Sequence, residues 1–118
     1  MIRIFLIGFM GAGKTTFGKQ LASNLGLSFI DTDVYIENRY HKTVSSLFAE
    51  KGESEFRILE REILEEISKI EDVVIATGGG MPCFYDNIDY MNSKGITIFM
   101  PVSYTHLRAH ETVLDLVC

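Results

Sequence analysis

Eight residues near the start of the chain, Gly8-Phe9-Met10-Gly11-Ala12-Gly13-Lys14-Thr15, fit the pattern G-x-x-x-x-G-K-[ST] in full. Glycines at this spacing let the backbone bend until successive N–H groups face one point. A phosphate placed there meets those donors and the positive end of the helix that follows. Lys14 adds a full charge for the β and γ phosphates of ATP, and the Thr15 hydroxyl suits magnesium. Gly11, Ala12, Gly13, Lys14, Thr15 and Thr16 are therefore the candidate nucleotide-binding residues. The bland alternative is a glycine turn that happens to precede a helix. The motif points to nucleotide binding, with Mg2+ as the accompanying ion, and leaves the acceptor open.

Three later features bear on the acceptor. Asp31-Thr32-Asp33 follows a short apolar run. In an extended segment its two carboxylates point the same way. One could hold magnesium through water and the other draw a proton from a substrate hydroxyl; helix capping by either is the competing reading. Arg57, after Phe56 on a long amphipathic stretch, could grip a carboxylate with two parallel hydrogen bonds. Its competing role is a surface salt bridge to Glu53 or Glu60, one helical turn away. Phe48 and Phe56 could wall an apolar ring or simply fill core. Gly78-Gly79-Gly80, after Thr77, would let a ligand approach the backbone closely, or make a plain turn.

These residues need a frame. Ile2–Ile7, Leu27–Ile30, Val73–Ala76 and Ile96–Met100 read as short buried strands. Helical spacing is predicted over Lys14–Leu25, with a stripe of Phe17, Leu21 and Leu25. Shorter helices are predicted over Val34–Tyr40, Val44–Glu50 and Phe84–Met91. The clearest helix is Glu53–Lys69, striped by Phe56, Leu59, Ile63 and Ile67. Strands alternating with helices predict an α/β fold with a parallel sheet covered on both faces. Ligands of such sheets sit beyond the carboxyl ends of the strands, where the P-loop, the aspartates and the glycines converge.

Taken together, Gly8–Thr16, Asp31-Thr32-Asp33, Phe56-Arg57 and Gly78-Gly79-Gly80 resemble shikimate kinase in order and spacing, through about residue 100. The resemblance implies the P-loop, nucleoside-monophosphate-kinase-like three-layer fold, with a parallel sheet in the order 2-3-1-4-5. It implies transfer of the γ-phosphoryl of ATP to the 3-hydroxyl of shikimate, in aromatic amino-acid biosynthesis. By the same resemblance Asp33 holds the ring hydroxyls and is the candidate base, and Arg57 pairs with the carboxylate. Gly78, Gly79 and Gly80 offer backbone N–H groups. Thr15 and Asp31 are the candidate metal residues, and Lys14 stabilises the transferring group.

The resemblance stops after Met100. The family's lid arginine, second carboxylate-binding arginine, fifth strand and adenine loop have no counterpart in 101–118. Residues 1–100 are thus expected to form an incomplete P-loop kinase domain with four of five strands. The tail, from Ser103-Tyr104-Thr105-His106 to Thr112, resembles stretches on unrelated chains and is expected to be spurious; a natural truncated paralogue is the rival reading. His106 and His110 have the i, i+4 spacing of metal ligands but lack a third. Other small-molecule P-loop kinases, acting on gluconate or a nucleoside monophosphate, and a non-catalytic nucleotide-binding fragment are the alternative functions.

Composition narrows the class further. A net charge of −5 gives no basic footprint for nucleic acid. No apolar run is long enough for a membrane span, and the run at Ile4–Ile7 is too short for a signal core. Two cysteines, Cys83 and Cys118, make no disulfide framework, and Cys83 is expected to be at least half-buried. The reading is a cytoplasmic protein, monomeric when complete. An uncovered sheet edge and the missing lid predict poor stability and weak phosphoryl transfer. A sharp cooperative melt with monomeric elution would contradict the first of these.

Overall fold

Four apolar runs form the strands β1 (Arg3–Gly8), β2 (Ser28–Asp31), β3 (Val73–Ala76) and β4 (Ile96–Met100) in a computed structural model. The structure describes residues 1–8, 13–78 and 80–100. Gly11, Ala12 and Gly79 of the candidate site lie outside the described residues. So does the whole stretch 101–118, with Arg108, both its histidines and Cys118.

All strand pairs are parallel, in the order β2-β3-β1-β4. This is the order that the resemblance implied for the first four strands. Parallel neighbours need long crossovers, and helices supply them. Helix α1 (Lys14–Leu25) joins β1 to β2. Helices α2 (Thr32–Tyr40), α3 (Val44–Lys51) and α4 (Glu53–Ile67) join β2 to β3. A 3-10 turn (Met81–Cys83) and α5 (Asn87–Lys94) lead into β4.

Alternation along β1 and β3 divides the core between the two faces of the sheet. Phe5, Ile7, Val73 and Ile75 pack with Ile36, Leu47, Phe56, Leu59, Ile63, Leu64, Ile67 and Met91. Ile4, Leu6 and Val74 face the other way, onto Ala22 of α1. Both faces are therefore covered, which is why these two strands read as unbroken apolar runs. The predicted α4 stripe of Phe56, Leu59, Ile63 and Ile67 is buried as a unit.

Several expectations are corrected. On α1 the buried residues are Gly18 and Ala22, while Phe17 and Leu25 of the predicted stripe are exposed. The helix lies close to the sheet and presents its smallest side chains to it. Helix α2 begins at Thr32, so Asp33 is helical rather than extended. Helix α4 ends at Ile67. The helix predicted from Phe84 starts at Asn87, because Pro82 opens a separate 3-10 turn and Phe84 leaves it extended, at φ −116° and ψ 147°. Cys83 is half-buried.

Close packing of α1 yields a test. A Cβ at Gly18 would lie 3.0 Å from Leu6 Cδ1 and 3.1 Å from Phe29 Cδ1. Gly18→Val should overpack this layer and cost about 1–3 kcal/mol of stability. Denaturant melts of the two chains would read this, and coincident curves would refute the packing argument.

Candidate functional site

The candidate residues hang from the carboxyl ends of three adjacent strands. Register brings those ends level: Asp31 pairs with Ala76, and Ala76 with Leu6. Two hydrogen bonds then tie β3 to β1 just beyond the ladder. Thr77 donates to the Leu6 carbonyl from its N–H at 3.0 Å and from its hydroxyl at 2.9 Å. A buried third bond ties β3 to β2, with Gly78 N–H donating to Thr32 Oγ1 at 2.8 Å. The hydroxyl of Thr32, fully buried, is a structural part of the Asp-Thr-Asp segment that spacing alone did not single out.

On the nucleotide side, β1 ends at Gly8, whose φ of +148° and close approach to the Met100 carbonyl exclude a side chain. Gly13, in the left-handed region at φ +82°, caps α1. Lys14 Nζ donates to the Gly8 carbonyl at 2.7 Å, bridging the two ends of the P-loop. Burial holds the Lys14 ammonium below its ordinary pKa, against the pull of Asp33 and Asp31. Thr16 is exposed.

Asp31 serves two elements at once, the start of α2 and the start of α1. Its Oδ1 accepts from the N–H groups of Asp33 (2.9 Å) and Val34 (3.2 Å), capping α2. Its Oδ2 accepts from the Thr15 hydroxyl at 3.0 Å. The helix-cap reading of this aspartate is thus realised, and its second oxygen faces Thr15, the other candidate metal residue. A hydroxyl beside a carboxylate is the hard-oxygen donor set that suits Mg2+.

Asp33 and Arg57 approach the glycine loop from two sides. A Cβ at Gly78 would lie 2.6 Å from Asp33 Oδ1, and one at Gly80 would lie 2.8 Å from Arg57 Nη1. A side chain at either glycine would displace the group that faces it. Burial pushes the Asp33 carboxyl up, the Asp31 and Glu37 carboxylates add to this, and Lys14 opposes it.

Arg57 does form an ion pair on its own helix, but not at the surface. Its Nη1 meets Glu60 Oε1 at 2.7 Å, with side chains only 17% and 4% exposed. Burial pushes the Glu60 carboxyl up; its hydrogen bond and charge pairing with Arg57 oppose this, and Asp33 adds to it. The guanidinium sits among three rings, 4.2 Å from the centroid of Phe84, 5.6 Å from Phe56 and 5.7 Å from Phe48. Phe48 and Phe56 meet edge to face at 5.4 Å. Phe48 and Phe56 were legible as candidates; Phe84 was not, because nothing in spacing predicts a contact between a loop and a helix 27 positions earlier.

Known proteins resemble this chain in sequence and fold. The sequence model described as Shikimate kinase matches residues 10–111, past the boundary read at residue 100. A shikimate kinase of Parabacteroides distasonis is 59% identical over 107 residues, covering 91% of this chain and 62% of the relative. One of Bacteroides fragilis is 62% identical over 102 residues, covering 86% and 57%. The chain thus spans about three-fifths of the length of the relatives it matches. Among solved structures, the crystal structure of shikimate kinase from Bacteroides thetaiotaomicron superposes with a TM-score of 0.82 at 60% identity, covering 83% of this chain and 58% of the other. Shikimate kinase from Acinetobacter baumannii, in complex with shikimate, gives 0.81 at 38%, covering 85% and 56%. A gluconokinase from Sinorhizobium meliloti, at 19% identity and a TM-score of 0.54, shares the fold alone.

Burial of Asp33, with the carboxylates beside it, sets a pH-dependent stability. A carboxyl whose folded pKa is raised costs nothing below its unfolded pKa, where both states are protonated. The cost grows as pH rises and is complete above the folded pKa. Asp33→Asn should therefore melt a few degrees higher than the parent at pH 7 in metal-free buffer. The gain should shrink toward pH 4. Equal or lower melting of the variant at pH 7 would show that Asp33 carries no such cost.

Proposed function

The chain belongs to the shikimate kinase family, and from that premise we propose that its chemistry is transfer of the γ-phosphoryl group of ATP to the 3-hydroxyl of shikimate, giving 3-phosphoshikimate and ADP. One observation carries the choice of acceptor. A carboxylate, Asp33, and a guanidinium, Arg57, flank the same loop within reach of Gly78 and Gly80. A small ring bearing one carboxylate and several hydroxyls is the complement of that pair.

In this reading Arg57 anchors the carboxylate and Asp33 accepts hydrogen bonds from the ring hydroxyls. Asp33 also takes the proton of the attacking hydroxyl, a task suited to a carboxyl whose pKa burial raises. Gly78, Gly79 and Gly80 supply backbone N–H groups. Gly11, Ala12, Gly13 and Thr16 belong to the phosphate cradle, and Lys14 neutralises charge on the moving group. Thr15 and Asp31 would hold Mg2+, Asp31 through water. The ion, when bound, screens the phosphate charge that the incoming hydroxyl would otherwise meet. Orientation is the protein's main contribution, since positioning and charge account for most of the catalysis of phosphoryl transfer.

The same reading takes ATP and shikimate as the partners, a cytoplasmic location and a monomeric state. Among the described residues no helix is long and apolar enough to cross a membrane.

A coupled ADP-release assay across shikimate, gluconate and nucleoside monophosphates checks the acceptor. Shikimate alone should raise the rate above ATP hydrolysis. Arg57→Ala should raise KM for shikimate by about 10- to 100-fold while leaving KM for ATP unchanged. Turnover with another acceptor would replace this reading. ATP binding without turnover of any would favour a non-catalytic role.

A further inference from the structure

Arg57 is held in an unusual way for a residue that must present its N–H groups to a ligand. One donor, Nη1, is already committed to Glu60. Nε is buried and meets no hydrogen-bond acceptor among the described residues. A single hydrogen bond does not define the plane of a guanidinium, because the group can turn about the Nη1···Oε1 line. A ring laid against its face stops that turn. Of the three rings near Arg57, Phe84 is the nearest, at 4.2 Å, against 5.6 and 5.7 Å for Phe56 and Phe48.

The loop that carries Phe84 is itself fastened to α4. Arg61, one turn beyond Arg57, donates from Nη1 to Asp86 and, at 2.9 Å, to Asn87 Oδ1. Asn87 Nδ2 donates to the Met81 carbonyl at 2.8 Å, which closes the loop on itself. Phe84 lies between these fixed points, extended and half-buried. Gly80 abuts the guanidinium from the same loop. One segment thus makes room for Arg57 at Gly80 and presses a ring on it at Phe84.

We propose that Phe84 is a positioning residue for acceptor binding: its ring fixes the plane of the Arg57 guanidinium, so that the donors not taken by Glu60 are set for the acceptor carboxylate. The proposal rests on the shikimate reading above. Phe84 acts through Arg57 and touches no reacting atom. A cation held against a ring is favoured only while the ring is aromatic, so the effect follows ring character rather than bulk.

The test compares Phe84→Leu with Phe84→Tyr in the full chain. Calorimetric titration with shikimate should show about a 10-fold loss of affinity for F84L. F84Y should stay within about 2-fold of the parent, since the ring is kept. Affinity for ATP should be unchanged in both, which also reports that the variants are folded. A folded F84L with parental shikimate affinity overturns the proposal, as does an F84Y that loses as much as F84L. The Arg57 Nε–H resonance gives a second measure that needs no ligand. It should be shifted by ring current in the parent and in F84Y, and move toward its ordinary position in F84L. A parent that shows this shift but binds no shikimate overturns the acceptor reading and leaves the clamp standing. A parent without the shift overturns the clamp.

Discussion

Parallel pairing of β1 with β3 and of β2 with β3 is the constraint on which the site depends. Parallel strands end on the same side, and here the register makes three of them end at nearly the same level. The chain therefore leaves the sheet at Gly8, Asp31 and Ala76 into one shared space. Most of the candidate residues for a phosphate or an acceptor follow closely on those exits; Arg57 does not. That residue is brought in by α4, whose apolar stripe docks on the same face of the sheet. Burying the stripe and delivering the arginine are one event.

Small polar groups then lock the exits together. Asp31 divides its oxygens between the first turn of α2 and Thr15, so the start of that helix and the candidate ion site share one carboxylate. Thr77 donates its hydroxyl to the backbone of β1, and Thr32 accepts from the Gly78 N–H just beyond β3. Leaving a buried donor unpaired is costly, so these bonds act as register marks as much as adhesive. Around Arg57 the logic differs. A half-buried guanidinium is balanced by one buried carboxylate and faced by rings, which keeps it partly desolvated. Interactions with an incoming carboxylate are stronger in such surroundings than in water.

Much of this was legible in the sequence. The P-loop is a local pattern, and the β-branched runs at Val73–Ala76 and Ile96–Met100 are bounded by glycine, so both could be placed. The α4 stripe is periodic and long, which makes it robust. What could not be read depends on contacts between distant segments. Asp33 was expected in an extended stretch because the capping role of Asp31 starts the helix earlier than apolar periodicity does. The stripe of Phe17 and Leu25 was misleading because close approach to a sheet favours Gly18 and Ala22, which carry little hydrophobic signal. The Arg57–Glu60 pair was read as a surface feature because its cover, Phe84, arrives from the far side of β3.

The doubly used carbonyl of Leu6 has a mechanical consequence. It accepts from both the backbone and the side chain of Thr77, at the level where β1 gives way to the P-loop. The root of the glycine segment is thereby pinned to the root of the phosphate loop. The two cannot slide past each other without breaking a pair of bonds together. The sheet edge behaves as a rigid ruler between the candidate phosphate loop and the glycine loop. Any adjustment to the size of a bound molecule falls to the helices and side chains hung from it, and the gap across which a group would travel is built to a fixed gauge.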